Sequence, residues 1–502
     1  MRNLFSYVPL PGHVFLLLLA VIMRLPAMLL PDFFLAEESL LWTCAERIVG
    51  EPALYADAWY EGPPLVVWLY SNLINLFGSE GGLTVLRIIS ALYVYAFAAY
   101  LQGGMIAYRV QDKRRYIAGV FTVLLLSLPW YGLTLSPALL SLFPFAFSLF
   151  LILRLVQDDN TSRSLIFYAG LALASLILID YAGIVLVFAA FVAYILVRGL
   201  RVDELVTAGI GLSLGLFMVV AWLYMHDAIG SFVDIGFFSY FRYVLSNAPS
   251  PFDPDWGVLL ADILLNWGAL ILLGAYGLFH FRAKLFSFVI VARRMEGMML
   301  VWLIFGAIIL VFSGSRLQIH DFAVIAPPIA FYASKAWELR QGLFLKAFLW
   351  VILLVPPAAL YLDMFSRYQS SWTALPDNLS EQLGANYMFL PDAEKLREVM
   401  PKSAETLWVA AAQPQLYSFL QKKPATPFID YRSTYHRISY FNPELSSSAT
   451  PDAYLFKQFQ QGLPDVIIDQ GDIVPQLKRR FPTLFYGYLE KDAGQWKVWV
   501  RE

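Results

Sequence analysis

Six carboxylates fall in one short segment, FFLAEESLLWTCAERIVGEPALYADAWYEGPPLVVW: Glu37, Glu38, Glu46, Glu51, Asp57 and Glu61. Carboxylates gathered this closely are solvated, paired or used. A used carboxylate does general acid or base work on a proton held about 2.6–3.2 Å away. Within the segment Leu40, Leu41, Cys44, Ala45 and Ile48 recur at helical spacing. That spacing predicts a helix lying along an interface, with Glu38, Thr43, Glu46 and Arg47 turned to water. Glu37 and Glu38 then fall at or before its first turn, where the helix dipole favours a carboxylate by about 0.3–1 kcal/mol. Glu46, Glu51 and Asp57 are most simply a wet face. Glu61 differs, because Pro63 and Pro64 break the backbone just after it and open an apolar run. A carboxylate at membrane depth beside a rigid turn is costly unless paired or used.

Other polar groupings carry less. His226 with Asp227 and Asp234, and Asp253 with Asp255, show no ligand spacing and read as solvated loop acids; an oxygen-ligand site needs several convergent acids. There is no Gly-rich phosphate loop, no serine-hydrolase elbow and no HExxH, so no metal ligand is assigned. The lone cysteine, Cys44, reads as a small apolar filler. Phe237, Phe238, Tyr240, Phe241 and Tyr243 read as an interfacial aromatic belt.

The elements that position these residues follow from composition. The 502 residues are 59% hydrophobic and 15% charged, against about 25% charged in an ordinary soluble chain. This is a polytopic membrane protein. A net charge of -2 gives no signal for nucleic acid. Apolar runs near 12–30, 64–77 continuing into 83–108, 116–132, 135–156, 164–179, 181–197, 204–225, 258–280, 297–313, 320–336 and 343–362 make about eleven spans. Alternate loops hold Arg109, Lys113, Arg114 and Arg115, then Arg198 and Arg201, then Arg282, Lys284, Arg293 and Arg294, then Lys335, Arg340 and Lys346; the opposite loops hold little beyond Arg47, Arg242 and Arg316. Basic short loops stay in the cytoplasm. The N-terminus is therefore expected inside, and the acidic loop 32–63 and everything after residue 363 outside. A membrane domain 1–363 and a soluble exoplasmic domain 364–502 result. In the second, ETLWVAAA, TPFID and PDVIID read as strands, PQLYSFLQ, DAYLFKQFQQG and VPQLKRRF as helices, and FYGYLEKDAGQWKVWV as a closing hairpin turning at Asp492, Ala493 and Gly494. That alternation predicts a small α/β domain.

The order of features resembles a family. Arg24 in the first span, Glu37 and Glu38, a helix ending in Gly50 and Tyr55, Pro63 and Pro64 opening the next span, Phe77, Gly78 and Arg87, then Arg316, His320, Pro327 and Pro328 are similar in order to membrane glycosyltransferases of the GT-C fold, in the protein-mannosyltransferase and aminoarabinose-transferase-like branch. The resemblance implies a mainly α membrane bundle with a C-terminal exoplasmic α/β domain. It implies transfer of a sugar, with inversion, from a polyprenyl-phosphate donor to a glycan, lipid or protein acceptor on the outer side of the plasma membrane. By position Glu37, with Glu38 adjacent, takes the general-base role. Arg47, Arg242, Arg316 and His320 are the candidates for the departing lipid phosphate, which favours cationic donors, and Glu61 and Asp180 for lining the substrate site. No cofactor is required; a divalent metal is compatible with the acids.

Three positions depart from that pattern. Glu37 stands where the family has Asp, and one methylene moves a carboxylate by about 1.5 Å. Ser136 precedes Pro137 where an acid is usual, and Asp180 stands where a Lys is common. A second expectation follows from these departures: a GT-C-like protein without transfer activity that binds lipid-linked glycan, or scaffolds an envelope complex through a protein partner at 364–502.

Overall fold

The computed structural model describes residues 4–29, 36–50, 62–111, 116–127, 135–157, 162–239, 256–281, 291–313, 319–339, 349–355, 393–410, 415–426, 462–469 and 473–502, with isolated residues between these segments. The chain is mainly helical and divides into two units. The first comprises Met1–Pro31, Thr84–Val219 and Pro254–Gly384; the second comprises Asp32–Leu83, Val220–Asp253 and Ala385–Glu502.

The helices are α1 (Leu10–Leu29), α2 (Ala36–Arg47), α3 (Pro64–Ala107), α4 (Ile117–Leu126), α5 (Pro137–Gln157), α6 (Arg163–Ile179), α7 (Gly183–Arg198), α8 (Val202–Met225), α9 (Trp256–Phe281), α10 (Val291–Ser313) and α11 (Ala326–Glu338). Apart from α2, the helix expected along the interface, they fall on the apolar runs expected to span. Among the described residues five helical stretches are long and apolar enough to cross a bilayer, in α3, α5, α8, α9 and α10. In α8 only 6% of the apolar window is buried, leaving Val206, Ile210, Leu214, Phe217 and Met218 bare. Such a stripe is not tolerated in water. Lipid is its solvent, and the chain is a multi-pass membrane protein.

Lipid offers helices no hydrophobic drive to associate, so close packing of small residues takes over. Gly211 of α8 lies against the Phe167 carbonyl of α6, Gly170 of α6 lies against the Ala208 carbonyl of α8, and a Cβ on Gly215 would stand 2.6 Å from the Ala174 Cβ. Gly277 of α9 lies in the same way against the Tyr332 carbonyl of α11. Polar ties supplement this packing. Arg24, buried in α1, donates Nη1 to Ser90 Oγ of α3 and Nη2 to the Leu126 carbonyl at the end of α4, 2.6 Å away. That carbonyl lies at the negative pole of α4. Lys335, counted as a loop cation in the sequence, instead lies in α11 with its side chain only 10% exposed and is ion-paired with Glu296 of α10.

In the second unit the C-terminal residues build β1 (Thr406–Ala410), β2 (Lys423–Pro424), β3 (Val466–Asp469), β4 (Tyr488–Ala493) and β5 (Trp496–Arg501), with α12 (Ala393–Val399), α13 (Gln415–Leu420) and α14 (Ile473–Arg480). The sheet order is β2-β1-β3-β5-β4. β1 runs parallel to β2 and β3, and β5 antiparallel to β3 and β4. The expected α/β domain is present, with one correction. Lys423–Pro424 form a short strand paired with Thr406 and Leu407; the strand expected on TPFID lies mostly outside the described residues. The hairpin turns at Gly494 and Gln495, because Ala493 already pairs with Trp496; Gly494 supplies the positive φ of 70° that such a two-residue turn needs. The helix expected on DAYLFKQFQQG lies almost wholly outside the described residues. Trp408, Phe459, Ile467, Leu477, Phe485 and Trp499 form the core. Asp465 ties β1 to β3, accepting from Glu405 N, Thr406 N and Thr406 Oγ1 at 2.9–3.0 Å. Asp469 caps α14 by accepting from Ile473 N and Val474 N.

Candidate functional site

Helix α2 carries the leading pair, Glu37 and Glu38, in its first turn. Arg47 in the last turn complements the dipole, and Gly50, at φ +80°, takes the chain out of the helix. The apolar face is as expected: Leu41, Cys44, Ala45 and Ile48 are buried. The face expected to be wet is not. Glu38 is 5% exposed and Ser39 and Thr43 are wholly buried. The cause is tertiary, since α2 packs against α13 and β2 of the C-terminal domain. Arg47 is drawn into that contact and donates Nη1 to the Pro424 carbonyl of β2. Among the described residues Ser39 Oγ and Thr43 Oγ1, one helical turn apart, are buried without hydrogen-bond partners. Thr43 is thus a correction to the expected wet face, and Ser39 carries no signal in the sequence.

Glu46 is likewise corrected. It accepts from Trp42 Nε1 at 3.0 Å and from Ser79 Oγ. Burial raises its carboxyl above the ordinary range, although the Ser79 and Trp42 hydrogen bonds and the Lys423 charge pull the other way. Ser79 follows Gly78, whose φ of 74° and ψ of 171° break α3 into two helical stretches. Trp42 packs on Tyr70, with ring centroids 5.8 Å apart, and touches α3 near Gly82. The helix bearing the acidic pair is thus held from both α3 and the C-terminal domain.

The chain between α2 and α3 contributes Tyr55, buried, with its phenol donating to the Gly62 carbonyl at 2.7 Å. Gly62 directly follows Glu61 and precedes the Pro63–Pro64 turn. Glu61, Arg242 and Arg316 lie outside the described residues, as do Glu51 and Asp57. Glu37 is described only in its backbone.

Two candidates belong to the first unit. Asp180 ends α6, and its Oδ1 accepts from Ala182 N at 3.0 Å; the carboxylate thereby shapes the turn into α7. His320 is 5% exposed in a 3-10 stretch, Ile319–Ile325, leading into α11, with Nε2 3.6 Å from Asp321 Oδ1. Ser136, where the resembled family has an acid, caps α5 by accepting from Leu139 N at 3.2 Å, a task for which Ser and Asp are about equally suited. Among the described residues no three His, Cys, Asp or Glu side chains converge as metal ligands.

Chemically, α2 presents carboxylates at a helix start, with Glu38 largely withdrawn from water. In such surroundings an ionic or proton-transfer interaction is much stronger than in bulk solvent. No family model and no curated protein sequence matches the chain. Solved structures do. ArnT from Cupriavidus metallidurans bound to undecaprenyl phosphate superposes with a TM-score of 0.56 at 16% identity, covering 97% of each chain. The apo form of the same protein gives 0.53 at 15% identity, over 96% of this chain and 97% of that one. Over almost its whole length, therefore, the chain has the GT-C fold of ArnT.

Proposed function

We propose that this protein is an integral-membrane glycosyltransferase that takes a sugar from a polyprenyl-phosphate donor and passes it to an acceptor on the outer face of the membrane. Residues 1–363 are its membrane domain and 364–502 its outer α/β domain, with the N-terminus cytoplasmic. The observation that carries the reading is the fold shared end to end with a protein crystallised on undecaprenyl phosphate. The acidic pair in the first turn of α2 supports it. Glu37 withdraws the proton of an acceptor hydroxyl, the oxygen attacks the anomeric carbon from the face opposite the phosphate, and the configuration inverts. The polyprenyl phosphate leaves with the bonding electrons. Arg47, Arg242, Arg316 and His320 are the groups suited to the departing phosphate, because charge-assisted hydrogen bonds are roughly twice as strong as neutral ones. Glu38, Glu61 and Asp180 line or shape the site.

The test is transfer by the purified full-length protein from polyprenyl-phosphate sugars, wild type against Glu37→Gln. General-base catalysis contributes about 100- to 10,000-fold, so Glu37→Gln is expected to lose at least about 100-fold in kcat. Unchanged turnover removes Glu37 from the reaction. Binding of undecaprenyl phosphate without transfer from any donor supports instead a lipid-glycan-binding role on the same fold.

A further inference from the structure

A hydroxyl on a helix has a partner within reach, the carbonyl three or four residues back. Buried helical hydroxyls elsewhere in the chain use it: Thr122 donates to Ala118, Ser141 to Ala138, Ser148 to Pro144 and Ser334 to Phe331, at 2.7–2.9 Å. Ser90 is engaged by Arg24. Ser39 and Thr43 of α2 depart from this habit. Both are wholly buried, and among the described residues neither oxygen has a hydrogen-bond partner. A buried hydroxyl left unpaired carries the full cost of its desolvation. Alanine and valine fill the same space without that cost, so packing alone does not account for the pair. At i and i+4 the two stand on one face of α2 with Cβ atoms about 5–6 Å apart, close to the width of a sugar ring. Arg47, at i+8, continues the row by donating to the Pro424 carbonyl of β2. The row thus runs along the side of α2 that meets the C-terminal domain, and it begins next to the acidic pair in the first turn.

We infer that Ser39 and Thr43 are specificity-determining residues that hydrogen-bond the hydroxyls of the donor's sugar. The inference rests on the proposed transfer reaction and on α2 as a wall of its site. The chemistry favours sugar over phosphate. A lipid phosphate is best met by cations, whose charge-assisted bonds are roughly twice as strong as neutral ones. A neutral hydroxyl both donates and accepts, and so matches another hydroxyl. A site built to bond a substrate hydroxyl also rejects a ligand that lacks it, because its own buried groups are then left unpaired. The two oxygens are covered, so the sugar meets them as α2 draws away from α13 and β2. A ligand shifts such an equilibrium only by its differential interaction with the two arrangements. Hydroxyls that are unpaired in the present contact and paired on the sugar supply that difference.

The test uses the full-length protein in nanodiscs and measures affinity for bare undecaprenyl phosphate and for undecaprenyl phosphate carrying glucose, galactose, mannose or arabinose. Wild type is expected to bind at least one sugar-bearing lipid more tightly than the bare one. A neutral hydrogen bond is worth up to roughly tenfold, so Ser39→Ala and Thr43→Val should each cut that preference by up to about tenfold while affinity for the bare lipid holds. Thr43→Ser, which keeps the hydroxyl, should keep the preference. A second readout needs no ligand. Ser39→Ala and Thr43→Val each remove an unpaired buried hydroxyl and should melt at or above wild type, whereas a purely structural role lowers the melting temperature. Lower melting of both variants, an unchanged preference in both, or equal loss of affinity for bare and sugar-bearing lipids overturns the inference. So does a wild type that binds the bare lipid and prefers no sugar of the panel. A wild type that binds none of these lipids defeats the proposed reaction, and the inference falls with it.

Discussion

The ion pair between Lys335 of α11 and Glu296 of α10 should behave as a coupled unit whose halves are worth more apart than together. The two side chains are 10% and 7% exposed, so neither charge can turn to water when its partner is removed. Tyr332, one turn away from Ala336 on the same helix, donates to the Glu296 carbonyl at 2.6 Å, so the backbone under the carboxylate is also held. Removing one member of a buried pair costs about 3–5 kcal/mol, whereas replacing both by apolar groups of similar volume is often neutral or stabilising by about 1–4 kcal/mol. Lys335→Met should therefore lower stability by about 3–5 kcal/mol, and Glu296→Leu by a similar amount. The double variant should recover most of the loss, so the coupling energy approaches the two single losses combined, about 6–10 kcal/mol for a neutral double variant. Equilibrium unfolding of purified protein in mixed micelles, followed by tryptophan fluorescence, reads all four corners of the cycle; Trp302 in α10 and Trp337 in α11 are close reporters. Additive losses, or single variants within about 0.5 kcal/mol of wild type, would refute the claim that the pair is buried and mutually dependent.

Two further outcomes follow from packing and charge. Gly211→Leu puts a branched side chain against the Phe167 carbonyl of α6 and should force α6 and α8 apart, costing about 1–3 kcal/mol in the same unfolding assay; Gly209→Leu, with open space at its Cβ, should cost little, and equal effects at the two sites would contradict the close approach. Glu46 has a raised carboxyl pKa in the folded protein, so the folded chain binds its proton more readily than the unfolded one. Its penalty is full above the raised value and fades as pH falls toward the ordinary glutamate value of about 4.3. Glu46→Gln should then melt higher than wild type at pH 7, with the difference shrinking toward pH 4. A variant that melts lower at pH 7, or a gap independent of pH, counts against a buried carboxylate.

Much of the architecture is written in local pattern. Apolar runs of spanning length and a composition change after residue 363 are local properties, and the helices fall where those runs lie. The strands at Thr406–Ala410 and Val466–Asp469 and the final hairpin are legible for the same reason: each carries its own short apolar run or turn chemistry. What the pattern does not carry is the identity of a distant partner. Helix α2 was read as half wet because Glu38, Thr43, Glu46 and Arg47 are polar. The helix packs against α13 and β2 of the C-terminal domain, Glu46 is taken by Ser79 of α3, and the hydrogen bond from Arg47 to Pro424 closes 377 residues of chain. Lys335 illustrates the same failing, since a cation at the end of an apolar run looks like a loop cation until Glu296 is found beside it.

The candidate site divides along that line. Glu37 and Glu38 were legible as helix-start acids, since a helix start favours acids for local electrostatic reasons. Tyr55 was legible only as one member of an ordered set, because its positive φ has no sequence signature in a residue that ordinarily avoids it. Yet these two kinds of residue bear on one problem. A carboxylate that transfers a proton must be held to a fraction of an ångström, and a misplacement of about 1 Å costs about 100-fold. The chain on either side of the acids is tied down by Glu46 on Ser79 beside the Gly78 break, Arg47 on Pro424, and Tyr55 on Gly62. Of the three, only Tyr55 is itself strained. Strain of that kind costs of order 1–3 kcal/mol and persists only where the surroundings over-determine it, as the Gly62 hydrogen bond and the Phe232 ring contact do at Tyr55.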